Sequence, residues 1–158
     1  MGTGFRQKNP EWIEKLKLRY KREPLEAAVG YPVGKEGLAN PHYKNGPSIL
    51  EVAIWNNFGT RDIPRRAFME LAAERMRPKF KKMLRDAVKK INSGELDLKT
   101  VLKAAAQMGE AELRKAITDG DWPPNSPETV RRKKSERPLI DTGDMRKYVT
   151  SDVRARTT

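Results

Sequence analysis

Between residues 67 and 91 the chain carries Phe68, Leu71, Ala72, Met76, Phe80, Met83, Leu84, Ala87, Val88 and Ile91 at recurring positions. Steps of three and four place them on one face of a helix. That regularity constrains the fold more than any other feature of the chain. It requires a long amphipathic helix and a surface for that helix to cover. Pro78 lies inside the run. Its ring carries no N–H and crowds the preceding turn, so a kink or break is expected near Arg77. Asn92-Ser93-Gly94 supplies the stop. A second long helix follows over residues 97–118, with Leu98, Val101, Leu102, Ala105, Leu113, Ala116 and Ile117 as its stripe. Asp97 is its expected cap, and Gly120 its stop.

Shorter elements flank this pair. Asn9 and Pro10 open an expected helix over residues 10–22, with Trp12, Ile13, Leu16 and Tyr20 on one face. Leu25, Ala27, Val29 and Tyr31 alternate with Glu26, Ala28 and Gly30, the period of a half-buried strand. Residues 32–47 are rich in glycine and proline and read as a long loop, which holds the sole histidine, His42. Ser48 and Glu51 match a capping box that opens a short helix carrying Ile49, Val52, Ala53 and Trp55 inward. Ile, Val and Trp there also fit a strand. Gly59 closes the segment in the left-handed conformation. Ser126-Pro127 opens a further short helix, and Asp141 or Thr142 caps one more turn near residues 143–146. A closing strand is expected around residues 148–155. Paired with the strand near residue 28, it gives an α+β architecture, long helices packed on a small antiparallel sheet. The expected organisation is an N-terminal helical segment, residues 1–23, and a single α+β domain, residues 24–156.

The 158 residues include 33 Lys and Arg against 21 Asp and Glu, a formal charge of +12. Residues 61–90 alone hold 11 basic and 4 acidic side chains, a net +7. On a helix, Arg75, Lys79, Lys82, Arg85 and Lys89 form a basic stripe opposite the apolar one. Such charge favours phosphates or acidic neighbours, or simply solvates a helix face. With 37% apolar residues the chain has material for a modest core. It contains no cysteine, which excludes disulfides, thiolate metal sites and cysteine nucleophiles. One histidine makes a histidine-based triad improbable. No apolar run reaches the ~20 residues that span a bilayer, and the first ten residues lack a signal-peptide core, so a soluble, intracellular protein is expected. Asp97-Leu98-Lys99 is a faint nuclease-like element, better explained as a helix cap. Asp141 and Asp144 suit caps and turns as well as a Mg²⁺ site. No phosphate-binding glycine loop, nucleophile elbow, recognition helix or zinc-finger pattern is present.

Two segments carry more than composition. The first runs Val52-Ala53-Ile54-Trp55-Asn56-Asn57-Phe58-Gly59-Thr60-Arg61-Asp62-Ile63-Pro64-Arg65-Arg66-Ala67-Phe68-Met69. The second runs Trp122-Pro123-Pro124-Asn125-Ser126-Pro127-Glu128-Thr129-Val130-Arg131-Arg132-Lys133, then Arg137-Pro138-Leu139-Ile140-Asp141-Thr142-Gly143-Asp144-Met145-Arg146. Together they resemble the neck, tail-completion or virion-morphogenesis proteins of tailed bacteriophages. In that family an alanine–aromatic–Asn–Glu–Phe–Gly–Thr segment leads through Ile–Pro–Ala–Arg–Pro–Phe into a long helix, and Pro–Leu–Ile–Asp–Thr–Gly precedes the final strand. Asn57 stands where the family often has Glu, and Ala67 where it often has Pro.

The resemblance implies a non-enzymatic structural subunit without cofactor or metal. It implies a homo-oligomeric ring, typically six-fold, between the head connector or adaptor and the tail terminator or tail tube. DNA passes through the lumen and is open to non-specific contact. The protein is then a virion component, present in the host cytoplasm during assembly and never in a membrane. Candidate contact residues are Phe58, Gly59, Thr60 and Arg61 in the first segment, and Arg131, Arg132, Lys133, Lys134, Asp141, Thr142 and Gly143 in the second. The alternative is a small basic protein that binds nucleic acid without sequence preference.

Overall fold

The structure, a computed structural model, describes residues 24–31 and 46–156. The expected helix over residues 10–22, most of the loop over residues 32–47 and His42 lie outside the described residues. The described chain runs β1 (Leu25–Gly30), α1 (Ile49–Phe58), α2 (Phe68–Ser93), α3 (Leu98–Asp119), α4 (Pro127–Lys133), α5 (Asp144–Lys147) and β2 (Thr150–Ala155). The architecture is α+β, with long helices packed on a small antiparallel sheet. β1 and β2 pair antiparallel, with Leu25 opposite Ala155 and Gly30 opposite Thr150. The first and last described elements thus close the domain on each other.

The local chemistry explains most boundaries. Ser48 and Glu51 form the reciprocal capping box, which decides for a helix over a strand at α1. Asp97 accepts the Thr100 N–H at the start of α3, and Ser126 accepts the Thr129 N–H at the start of α4. Gly94 ends α2 in the left-handed region. At the end of α3, the Trp122 indole N–H donates to the Ala116 carbonyl at 3.0 Å, so a side chain six residues on finishes the helix.

The core lies where α1, α2, α3 and α5 converge. Ile49 and Ala53 from α1 meet Phe68 and Ala72 from α2 and Leu113, Ala116 and Ile117 from α3. Leu139, Met145 and Val149 close it from the C-terminal side. β1 and β2 lie on α3: Val29 touches Gly109, and the Ser151 hydroxyl bonds Glu110 at 2.8 Å.

Several expectations are corrected. α2 runs unbroken through Pro78. The carbonyl deprived of its partner belongs to exposed Glu74, where water can serve it, so the expected break does not occur. The basic stripe is not a free face along its whole length. Arg75 pairs with Asp119 at 2.6 Å and Lys79 with Glu112 at 2.5 Å, so both sit on the seam with α3. Lys82, Arg85 and Lys89 remain exposed. The apolar stripes are wider than the core, since Leu84, Val88 and Leu98 stay partly exposed. In α1 the buried set is Ile49, Ala53 and Asn57, while Val52 is only half-buried and Trp55 remains exposed. Gly59 has φ +80° but ψ 164°, outside the left-handed helical region. Gly143 holds the cap position of α5 and has no side chain to offer, but the Thr142 hydroxyl, one of the two expected caps, accepts the Asp144 N–H at 3.4 Å.

Candidate functional site

The end of α1 and the start of α2 are joined by a tight connection, residues 59–67. Gly59 makes the first bend. Its backbone conformation is nearly exclusive to glycine. A Cβ there would also lie 3.1 Å from the Arg65 nitrogen. The Thr60 hydroxyl then accepts the N–H groups of Asp62 and Ile63, and the Thr60 N–H donates to the Ile63 carbonyl. Thr60 is turn chemistry, as its residue type allows. The Asn57 side chain, buried at the end of α1, accepts the Met69 N–H at 3.0 Å. A neighbouring helix therefore caps α2, whose own cap position, Ala67, has no side-chain oxygen to offer. Glu70 follows in the first turn. Burial works against its charge, but its own backbone N–H, Arg65 and Asn57 outweigh that and hold its carboxyl below the usual range.

Arg66 is the centre of the arrangement. It is 4% exposed. Its Nε donates to the Pro123 carbonyl at 3.0 Å, and one terminal nitrogen donates to Asn56 Oδ1 at 2.8 Å. The other terminal nitrogen donates to the Pro124 carbonyl and to Asn125 Oδ1, both at 3.1 Å. All four acceptors are neutral. Burial accordingly lowers the guanidinium pKa. Asn125 passes the linkage on, donating to the Arg137 carbonyl at 3.3 Å. On the other side Asn56 Nδ2 donates to the Val52 carbonyl. One side chain thus fastens the first segment to the second, although 57 residues separate Arg66 from Pro123.

Beside Arg66 opens a cavity of about 610 Å³. Its apolar wall comes from α1 and the following connection, with Val52, Trp55 and Ile63, and from Leu139 and Met145 opposite. Its polar wall carries Arg132, Lys133, Asp141, Thr142 and Gly143. Lys133 is half-buried, and burial lowers its pKa; neighbouring Arg66 and Arg132 push the same way, while Asp141 opposes them. The Thr142 hydroxyl is engaged by the Asp144 carboxylate.

Of the candidate contact residues, these five line the cavity. Arg131 and Lys134 flank it on the surface, Lys134 with φ +52° at the end of α4. Phe58, Gly59, Thr60 and Arg61 do not line it, and Phe58 is 65% exposed. Ile54 and Trp55, one turn earlier on α1, are also partly exposed, so α1 has a second apolar face outside the core. Sequence reasoning missed Arg66 and Asn125. A signal for Arg66 existed: it occupies the arginine of the Ile–Pro–Ala–Arg–Pro–Phe pattern, in a stretch otherwise made of turn and core residues. Asn125 carried none beyond its place in a turn-rich linker. Comparison with protein-family models, with curated proteins and with solved structures finds no match to this chain.

Proposed function

We propose that this chain is a structural subunit of a tailed-phage or prophage virion, forming a ring at the head–tail junction or tail end. The observation that carries the reading is the Arg66 linkage. The two segments that resemble neck and tail-completion proteins are distant in sequence, yet they meet on one buried arginine and wall one cavity. Their glycine, proline, threonine and asparagine residues act in turns, caps and fastening, the roles expected of a scaffold. The exposed apolar face of α1, with Ile54, Trp55 and Phe58, supports an assembling subunit, because apolar side chains grouped on a surface favour contact with another protein. In this reading the protein performs no catalysis. Its partners are copies of itself, the head connector and the tail terminator or tube.

Light scattering and negative-stain microscopy of the purified protein, with mass spectrometry of purified virions, test this directly. Rings, or particles carrying the protein, are expected. A monomer at every concentration, absent from virions, would overturn the reading. The exposed cations Lys82, Arg85 and Lys89 favour the second reading, a monomeric nucleic-acid-binding protein. Duplex binding by a protein that never assembles would select it.

A further inference from the structure

The two ends of α2 are used differently. Its first turns enter the core through Phe68 and Ala72, and Arg75 and Lys79 pair with carboxylates of α3. From residue 73 to residue 93 only Ala87 is buried. Leu84 and Val88, one turn apart, are 37% and 44% exposed, so they form an apolar row that α3 leaves uncovered. Lys81, Arg85 and Lys89 form the adjoining row, and all three are exposed. Among the described residues none of these three has an ion-pair partner. Residues 81–90 hold five basic side chains and one acidic, Asp86. Leu98, 42% exposed, stands at the same end, where α3 begins. Charge alone makes a solvated face, but an exposed apolar row beside it is a contact that water does not satisfy.

We infer that this outer face of α2 docks an acidic amphipathic helix of another protein, its apolar row packed beside Leu84 and Val88 and its carboxylates meeting Lys81, Arg85 and Lys89. Parallel rows at four-residue spacing are the ridges and grooves by which one helix seats on another. An apolar centre bordered by charge is the make-up of a protein interface, and opposite charge selects the partner and speeds encounter. A second copy fits poorly, because the chain carries +12 and the same face on a copy would oppose cation to cation. Duplex DNA would use the cations but leave Leu84 and Val88 against a polar, charged surface. The inference goes beyond the virion reading and does not depend on it. A ring subunit or a free monomer could carry the same face.

The probe is a labelled synthetic helix of about 18 residues, with leucines in one row and glutamates in the next. Its binding to the full-length protein is followed by fluorescence anisotropy. A scrambled peptide of the same composition keeps the charge and loses the rows, and should bind about tenfold more weakly. K81Q/R85Q/K89Q should weaken binding about tenfold at low salt and flatten its salt dependence. L84Q/V88Q leaves the charge unchanged and should weaken binding about tenfold at every salt concentration. K115Q/R146Q/K147Q removes three exposed cations elsewhere and should stay within about twofold of the starting affinity. Melting curves show whether each variant is folded. The K81Q/R85Q/K89Q variant alters only exposed side chains, so it keeps the test decisive if L84Q/V88Q melts early. Equal binding of ordered and scrambled peptides, or equal losses in the two triple variants, would show that net charge alone acts and would overturn the site. So would no binding of the ordered peptide. A labelled duplex that displaces the peptide and is indifferent to L84Q/V88Q would assign the face to nucleic acid and overturn the helix assignment. Ring formation and virion content are read by scattering and mass spectrometry, so failure here is separable from failure of the virion reading.

Discussion

Arg66 holds a charge in the interior with only neutral acceptors around it. A guanidinium tolerates this because its charge is delocalised and its planar fork can reach several acceptors at once. Truncating it would orphan two carbonyls and two amide oxygens together. Arg66→Ala should therefore destabilise the fold by about 3 kcal/mol, and Arg66→Lys should restore little, since one ammonium cannot reach both segments. Urea denaturation checks both variants, and a loss below about 1 kcal/mol for alanine would refute the fastening role. Gly59 is the second residue on which the geometry turns. Gly59→Val should cost about 1–3 kcal/mol, because φ +80° with ψ 164° excludes a β-branched residue and the added Cβ would press on the Arg65 backbone. An unchanged urea midpoint would refute it. The two residues differ in legibility. Glycine before a threonine turn announces a bend, though not which positive-φ region it adopts. An arginine in a basic chain looks like surface charge until its long-range acceptors are known, and those acceptors are mostly backbone carbonyls, which sequence does not distinguish.

The packing of α3 depends on a close approach at Gly109. A Cβ there would lie 2.9 Å from Val29 Cγ2 and 3.0 Å from Met76 Sδ. Glycine inside a helix costs about 1 kcal/mol relative to alanine, so an exposed position would gain from the change. Here the crowding against β1 and α2 should win, and Gly109→Ala should be net destabilising by about 1 kcal/mol. Val29 is stiff at χ1, whereas Met76 can move aside. Adding Val29→Ala should therefore recover much of the loss in a double-mutant cycle measured by thermal denaturation. Simple additivity of the two changes would contradict the proposed clash. Element existence was the most legible part of the fold. Ser48, Asp97 and Ser126 each announced a helix start, and the strand pairing followed from two alternating runs. Less legible was the fate of Pro78, because the periodicity gives no measure of how strongly packing on α3 keeps α2 continuous. Arg75 and Lys79 were misread for a related reason. A charge two turns from the core can lie at a helix seam once the partner helix supplies Asp119 and Glu112.

At the scale of the whole molecule, charge and apolar surface make opposite demands. Copies carrying +12 each repel one another, and the proposed ring requires that repulsion to be overcome. The exposed face of α1 is the apolar feature best placed to do so, with Phe58 65% exposed and Ile54 one turn away. Phe58→Glu should leave the isolated fold within about 0.5 kcal/mol of its starting stability, since the side chain makes little use of the core. It should at the same time abolish self-association, because a carboxylate would be stranded where apolar contact is needed. Sedimentation and melting curves on the same samples separate the two effects. Salt gives the second half of the test. Screening weakens repulsion between like-charged copies, so ring formation should strengthen as ionic strength rises. Duplex DNA binding should weaken over the same range, because it releases counterions. Association that falls with added salt, or that survives Phe58→Glu, would mean that charge and not the α1 face brings copies together.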